Sequence, residues 1–317
     1  MSEVEQPCPS HAASPVAWSL SVLNALVGDH LRERHYGLAV TMGFFARNRP
    51  LRLTHEGLLR EHPQPTGRVA VFVHGLGCHE GIWAFRDPAH GPHATSFGAR
   101  LQADLGYTPL FVRYNTGLSI ARNGAHLSVL LEELRACYPR PLDELVLVGH
   151  SMGGLVIGAA GQAAGRARAG WLSSVRRVIC LGTPREGAPL AQLAHLATTV
   201  LHAVPNPITR LIGQLLDLRS LGLKELRGAE RAGPAPWPAA ARHYRIGGML
   251  NAHARHPLTV LLGDGLVGLP GRRLWLHDDG GDAPAGEHVR LFPHTHHLRL
   301  PRDAAVYAQI RHWCESR

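Results

Sequence analysis

The sequence predicts an α/β chain built on a doubly wound, mostly parallel β-sheet. Three observations predict it. Short, nearly continuous apolar runs of β-branched character recur from residue 68 onward, as in strands buried on both faces. Helical patterns lie between them, and strand–helix alternation of this kind belongs to parallel sheets. One run leads through a G-x-S-x-G string straight into an apolar helix.

The elements follow in order. Residues 1–15 contain Pro7, Pro9, Ser10 and Ser14 and read as frayed. From Val16 to Arg34 the apolar positions Trp18, Val22, Leu26 and Leu31 recur at helical spacing. This predicts a helix packed on the main domain, with a membrane-surface location as the alternative. Residues 50–67 have mixed polarity and contain Pro63 and Pro65, so they read as a connector. Residues 1–67 are thus expected to be a helical extension and connector, and 68–317 the main domain.

Strands are predicted over Arg68–His74, Pro109–Tyr114, Glu144–Gly149, Arg177–Gly182, His243–Gly248 and His288–Phe292. The clearest helix covers 120–137, with Ile120, Leu127, Leu130, Leu131 and Leu134 on its apolar side and Pro139 and Pro141 to stop it. A closing helix is expected over Pro301–Trp313. Between 185 and 241 the alternation lapses. Leu-rich helical patterns over 190–227, split by Pro205 and Pro207, predict a helical insertion above the sheet, a cap or lid.

Composition narrows the function classes. The 317 residues are 45% hydrophobic and 18% charged, which excludes a largely disordered chain. Basic minus acidic residues is 33 − 24 = +9, with Lys224 the single lysine. The arginines are scattered and no basic run alternates with aromatics, so nucleic acid is not expected as a partner. Cys8, Cys78, Cys137, Cys180 and Cys314 form no CxxC, which fits neither a disulfide framework nor a zinc ribbon and points to a reducing compartment. Glu3 and Glu5 replace the basic start of a secretory signal. A cytoplasmic protein is expected, with peripheral membrane contact left open and no metal or cofactor. Oligomeric state is not legible.

The string Leu145-Val-Leu-Val-Gly149-His150-Ser151-Met152-Gly153-Gly154 carries the chemistry. A serine in a sharp strand-to-helix turn holds its hydroxyl clear of the sheet edge. Side chains two positions before and after would collide there, so Gly149 and Gly153 are small. The helix that follows aims its N-terminal N–H groups at the place where negative charge develops. His150 is expected to project away from Ser151 as a structural or pocket residue.

These residues resemble the serine elbow of α/β-hydrolase lipases and esterases. His74-Gly75-Leu76-Gly77 resembles the oxyanion motif of that superfamily. Arg113-Tyr-Asn-Thr-Gly117 and Leu181-Gly-Thr-Pro184 are similar to segments of bacterial triacylglycerol lipase-like and PGAP1-like hydrolases, with Arg185-Glu-Gly187 departing from the usual continuation. The resemblance covers roughly residues 68–313. It implies the α/β-hydrolase fold and a triad in the chain order Ser, acid, His. Asp264, in Gly263-Asp264-Gly265-Leu266-Val267, matches the acid's loop better than Asp278, Asp279 or Asp282. His297 matches the base best, with His296 and then His294 as alternatives. The oxyanion hole would use the N–H groups of Met152 and Leu76. The implied activity is cleavage of a carboxylic ester through an acyl-enzyme, on a lipid or aliphatic acyl substrate. An acyltransferase, a PGAP1-like deacylase of a membrane glycolipid, and a non-catalytic binding protein are the alternatives.

Overall fold

The computed structural model describes residues 17–25, 40–86, 94–184, 241–251, 264 and 287–315. Its strands are β1 Gly43–Ala46, β2 Arg49–Pro50, β3 Arg68–Val73, β4 Ala84–Arg86, β5 Ala94–Ser96, β6 Thr108–Arg113, β7 Glu144–His150, β8 Val175–Leu181, β9 Arg242–Gly248 and β10 Glu287–Phe292. Its helices are α1 (17–25), α2 His55–Glu61, α3 Phe97–Leu105, α4 Ile120–Cys137, α5 Met152–Ala167 and α6 Ala304–Glu315.

Eight strands form one sheet in the order β10-β9-β8-β7-β3-β6-β1-β2. The six from β10 to β6 run parallel, and β1 and β2 close the far edge antiparallel. The alternation along each central strand explains why two helical layers are needed. Val69, Val71 and Val73 of β3, with Leu145 and Leu147 of β7, bury into the side covered by α4 and α5. Ala70 and Phe72, with Val146 and Val148, bury into the side covered by α3 and α6. A strand side chain removed from water in this way contributes about 1.5–3 kcal/mol, so neither face can be left bare.

Helix boundaries follow local chemistry. Ser96 Oγ accepts from the Ala99 N–H at 3.1 Å to cap α3, and Gly106 ends it in the left-handed region at φ 70°. Ser119 caps α4, which stops at Cys137, just before Tyr138 and Pro139. Helices α4 and α5 approach so closely that a Cβ on Gly124 would fall on Ala159.

Two findings correct the expectations for the chain before residue 68. Residues 50–67 are more than a connector, because Thr54 caps the helix α2 there. The strands β1 and β2 were not foreseen. They are four and two residues long, and β1 is held by pairing with β6 instead of by any long apolar run of its own. Helix α1 packs on the main domain: Val22 and Ala25 join the α4–α5 side of the core, and Trp18 meets His79 edge-on with ring centroids 4.7 Å apart. The expected insertion at 185–241 lies outside the described residues, except Ala241. No described helix is long and apolar enough to cross a membrane.

At the amino edge of the sheet a charged network fastens the last helix. Glu144 pairs with Arg177 and Arg68 and accepts from the Tyr107 hydroxyl. Arg177 Nε donates to the Trp313 carbonyl at 2.8 Å, and Arg68 to that of Cys314 at 3.3 Å. Guanidinium groups at these two carbonyls complement the negative end of α6.

Candidate active site

The carboxyl edge of the sheet collects the candidate residues. The chain leaves β3 toward α3 and β6 on one side. It then returns through α4 to β7 on the other, so the ends of β3 and β7 lie side by side at a switch in strand order. Such a switch point opens a crevice in α/β sheets.

Ser151 stands at that switch point, between β7 and α5, with φ 54° and ψ −124°. A serine at this helix position ordinarily adopts extended angles and caps the helix with its oxygen. Ser151 makes no capping hydrogen bond. A positive φ costs a non-glycine residue on the order of 1–3 kcal/mol, and the packing around the turn enforces it. The Ser151 N–H donates to the Leu181 carbonyl at 2.8 Å. A Cβ on Gly149 would lie 2.6 Å from the Gly154 nitrogen, and one on Gly153 2.6 Å from the His74 carbonyl oxygen. Both glycines are therefore required by space, as the sequence predicts.

The turn after β3 presses against this elbow. A Cβ on Gly75 would come within 2.9 Å of the Ser151 Cβ. Leu76 follows, buried, and among the described residues its N–H has no hydrogen-bond partner. Gly77 N–H donates to Thr116 Oγ1 and Cys78 N–H to the Gly75 carbonyl, which hold the turn around Leu76. Met152 opens α5, so its N–H has no acceptor within the helix. His74 is buried and stacked on Tyr114 with centroids 4.5 Å apart, and the Tyr114 hydroxyl donates to its carbonyl. Burial lowers the His74 pKa to about 3, so the ring is neutral.

His297 and Asp264 meet at the same edge, after β10 and β9. The carboxylate Oδ2 of Asp264 accepts from His297 Nδ1 at 2.8 Å, and the Asp264 carbonyl accepts from the His297 N–H at 3.1 Å. The two side chains are 1% and 2% exposed. His297 Nε2 is buried and has no partner among the described residues. His296 and His294 are exposed, so three histidines in four positions are sorted by burial. Partial desolvation against the loop and the Arg299 guanidinium push the His296 pKa down. Asp278, Asp279 and Asp282 lie outside the described residues.

Sequence reasoning missed two glycines that make this meeting possible. Gly182 has φ 56°, and a Cβ there would lie 2.8 Å from both Nδ1 and Cε1 of His297. Gly248 ends β9 where a Cβ would lie 3.0 Å from that of Asp264. Each directly ends a predicted strand, and a glycine at the carboxyl end of a buried parallel strand is the signal that marks them. Sequence reasoning also left His150 without a partner. Its Nε2 lies 3.1 Å from the His297 carbonyl oxygen. Among the described residues no cluster of three or more His, Cys, Asp or Glu side chains has the arrangement of a metal site.

A sharp Ser turn between the central parallel strand and its helix, at the switch point, decides the architecture. The chain has the α/β-hydrolase fold. The sequence-family model of the PGAP1-like alpha/beta domain matches residues 113–208, a span that contains the elbow. No curated protein matches the sequence. Several solved structures resemble this hydrolase-fold chain. The mature form of the Bacillus licheniformis lipase BlEst2 is 22% identical at a TM-score of 0.44, over 79% of this chain and 94% of that one. The lin2722 gene product of Listeria innocua is 13% identical at 0.45, over 79% and 94%. The Pyrococcus furiosus esterase Pf2001 is 12% identical at 0.46, over 78% and 80%.

Proposed function

We propose that the protein is a serine hydrolase that cleaves carboxylic esters through an acyl-enzyme. One observation carries the reading: Ser151 occupies a helix-capping position, in a strained backbone conformation, without capping. The strain has a use if the hydroxyl is reserved for attack.

In this reading Ser151 Oγ attacks the ester carbonyl carbon while His297 Nε2 takes its proton. The unpartnered, buried Nε2 supports that assignment. Asp264, on Nδ1, holds the required tautomer and stabilises the imidazolium. The Leu76 and Met152 N–H groups receive the oxyanion, helped by the amino end of α5. His297 then gives its proton to the departing alcohol. Water, deprotonated by the same imidazole, attacks the acyl carbon, the carboxylic acid leaves, and the Ser151 proton is restored. Aliphatic or lipid acyl groups are the proposed substrates, on the strength of the Leu-rich sequence at 190–227.

The match to the PGAP1-like alpha/beta domain favours a second reading, in which the same residues deacylate a bulky glycolipid at a bilayer. Hydrolysis of soluble chromogenic esters, compared with the same esters presented in vesicles, separates the two. A fluorophosphonate probe tests both. It is expected to label wild type and not Ser151→Ala. An unlabelled wild type, where a reference serine esterase is labelled, overturns the serine-hydrolase reading.

A further inference from the structure

We propose that His150 is a positioning residue, anchoring the peptide of His297 so that the imidazole is held in register with the elbow. The inference rests on the serine-hydrolase reading, with His297 as the base. The two residues are 147 positions apart in sequence, yet their ring centroids are 4.7 Å apart. His150 Nε2 lies 3.1 Å from the His297 carbonyl oxygen. A carbonyl only accepts, so Nε2 carries the proton and Nδ1 is left with its lone pair. Among the described residues Nδ1 indeed has no partner.

The backbone of His297 is thereby held on both sides of its Cα. Its N–H is held by the Asp264 carbonyl, and its oxygen by His150. Gly182 lies against the ring itself. His150 is the last residue of β7 and is followed directly by Ser151. One buried residue thus joins the strand that presents the hydroxyl to the loop that presents the imidazole. Its own ring is held by the edge of Trp83, 6.5 Å away between centroids.

The chemistry requires a donor that carries no charge. Burial above all keeps the His150 pKa well below the ordinary histidine value; the titratable or charged groups facing it, His297, His74 and Arg302, add to this, and its hydrogen bond to the His297 carbonyl opposes it. A neutral ring donates to the carbonyl without opposing the imidazolium that forms on His297. A lysine or arginine in its place would set a like charge beside that imidazolium.

The test compares His150→Phe, which keeps the volume and removes the donor, with His150→Gln, which keeps a neutral donor of similar reach. Turnover of p-nitrophenyl butyrate is measured from pH 5 to 9, with melting temperature alongside. His150→Phe is expected to lower kcat on the order of 10- to 100-fold, as for a misplaced catalytic group. KM should stay within about twofold, and the acid limb of the kcat profile should move. His150→Gln should recover most of kcat and the wild-type limb. If His150→Phe fails to fold, His150→Asn, too short to reach the carbonyl, takes its place. A folded donor-less variant with wild-type kcat and pH profile overturns the anchor, as does a Gln variant no better than it. Either result leaves fluorophosphonate labelling of wild type untouched, whereas an unlabelled wild type removes the underlying reading instead.

Discussion

The imidazole of His297 and the carboxylate of Asp264 share a 2.8 Å hydrogen bond with almost no exposure to water. Buried this completely, the bond decides which nitrogen of the ring carries the proton. An ionised carboxylate only accepts, so Nδ1 holds the hydrogen and Nε2 keeps its lone pair for a proton from elsewhere.

Replacing Asp264 by Asn should therefore leave the fold intact and remove most of the activity. An amide nitrogen at that place favours the other tautomer and cannot stabilise an imidazolium. A fall in kcat of about 10⁴-fold is expected, the magnitude seen when a triad acid is neutralised in this way. Steady-state kinetics with circular dichroism checks it, and a loss under tenfold would show that Asp264 is not the orienting acid.

Gly182→Ala should impair the same step from below the ring. The added methyl would lie 2.8 Å from two ring atoms of His297, and φ 56° strains any side chain. A stability loss of about 1–2 kcal/mol is expected from the backbone alone. The expected drop in kcat is about 100-fold, from displacement of the imidazole. Gly158→Ala on α5 serves as the control, because a Cβ there meets nothing within 4 Å. It should keep full activity and match or exceed wild type in melting temperature.

Acid should destabilise the protein well before its carboxylates are protonated. In the folded state His74 stays neutral down to about pH 3, whereas in the unfolded chain it takes a proton near pH 6.5. Below about 6.5 the unfolded state binds the extra proton, so stability falls with pH and that contribution is gone near pH 3. Buried His150 acts in the same direction. Glu80, held down to about 2 by His79 and the Arg113 guanidinium against its burial, enters only as pH falls through the ordinary value of 4.5, where the unfolded chain takes the proton first. One such histidine changes stability by up to about 1.4 kcal/mol per pH unit. Urea unfolding at pH 7.5 and 5.0 should show a loss smaller by about 2 kcal/mol in His74→Phe, which keeps the stack on Tyr114. Equal losses in the two proteins would mean that His74 is not held neutral.

The sequence by itself determined the layers and the tight strand-to-helix turn at Ser151. Alternating strands and helices and the G-x-S-x-G string are patterns legible along the chain; the reason for Gly149 lies five residues on, at Gly154, whereas the reason for Gly153 lies at the end of β3, against Val73 and His74. The strands β1 and β2 escaped because only their pairing, β1 with β6 and β2 with β1, makes such short segments strands. Which of His294, His296 and His297 is buried against Asp264 also belonged to the tertiary structure, since the three imidazoles share one loop. So did the contact from His150 to His297, and the closeness that demands glycine at 182 and 248. These relations join the ends of separate strands, and only the folded sheet brings those ends within hydrogen-bonding range.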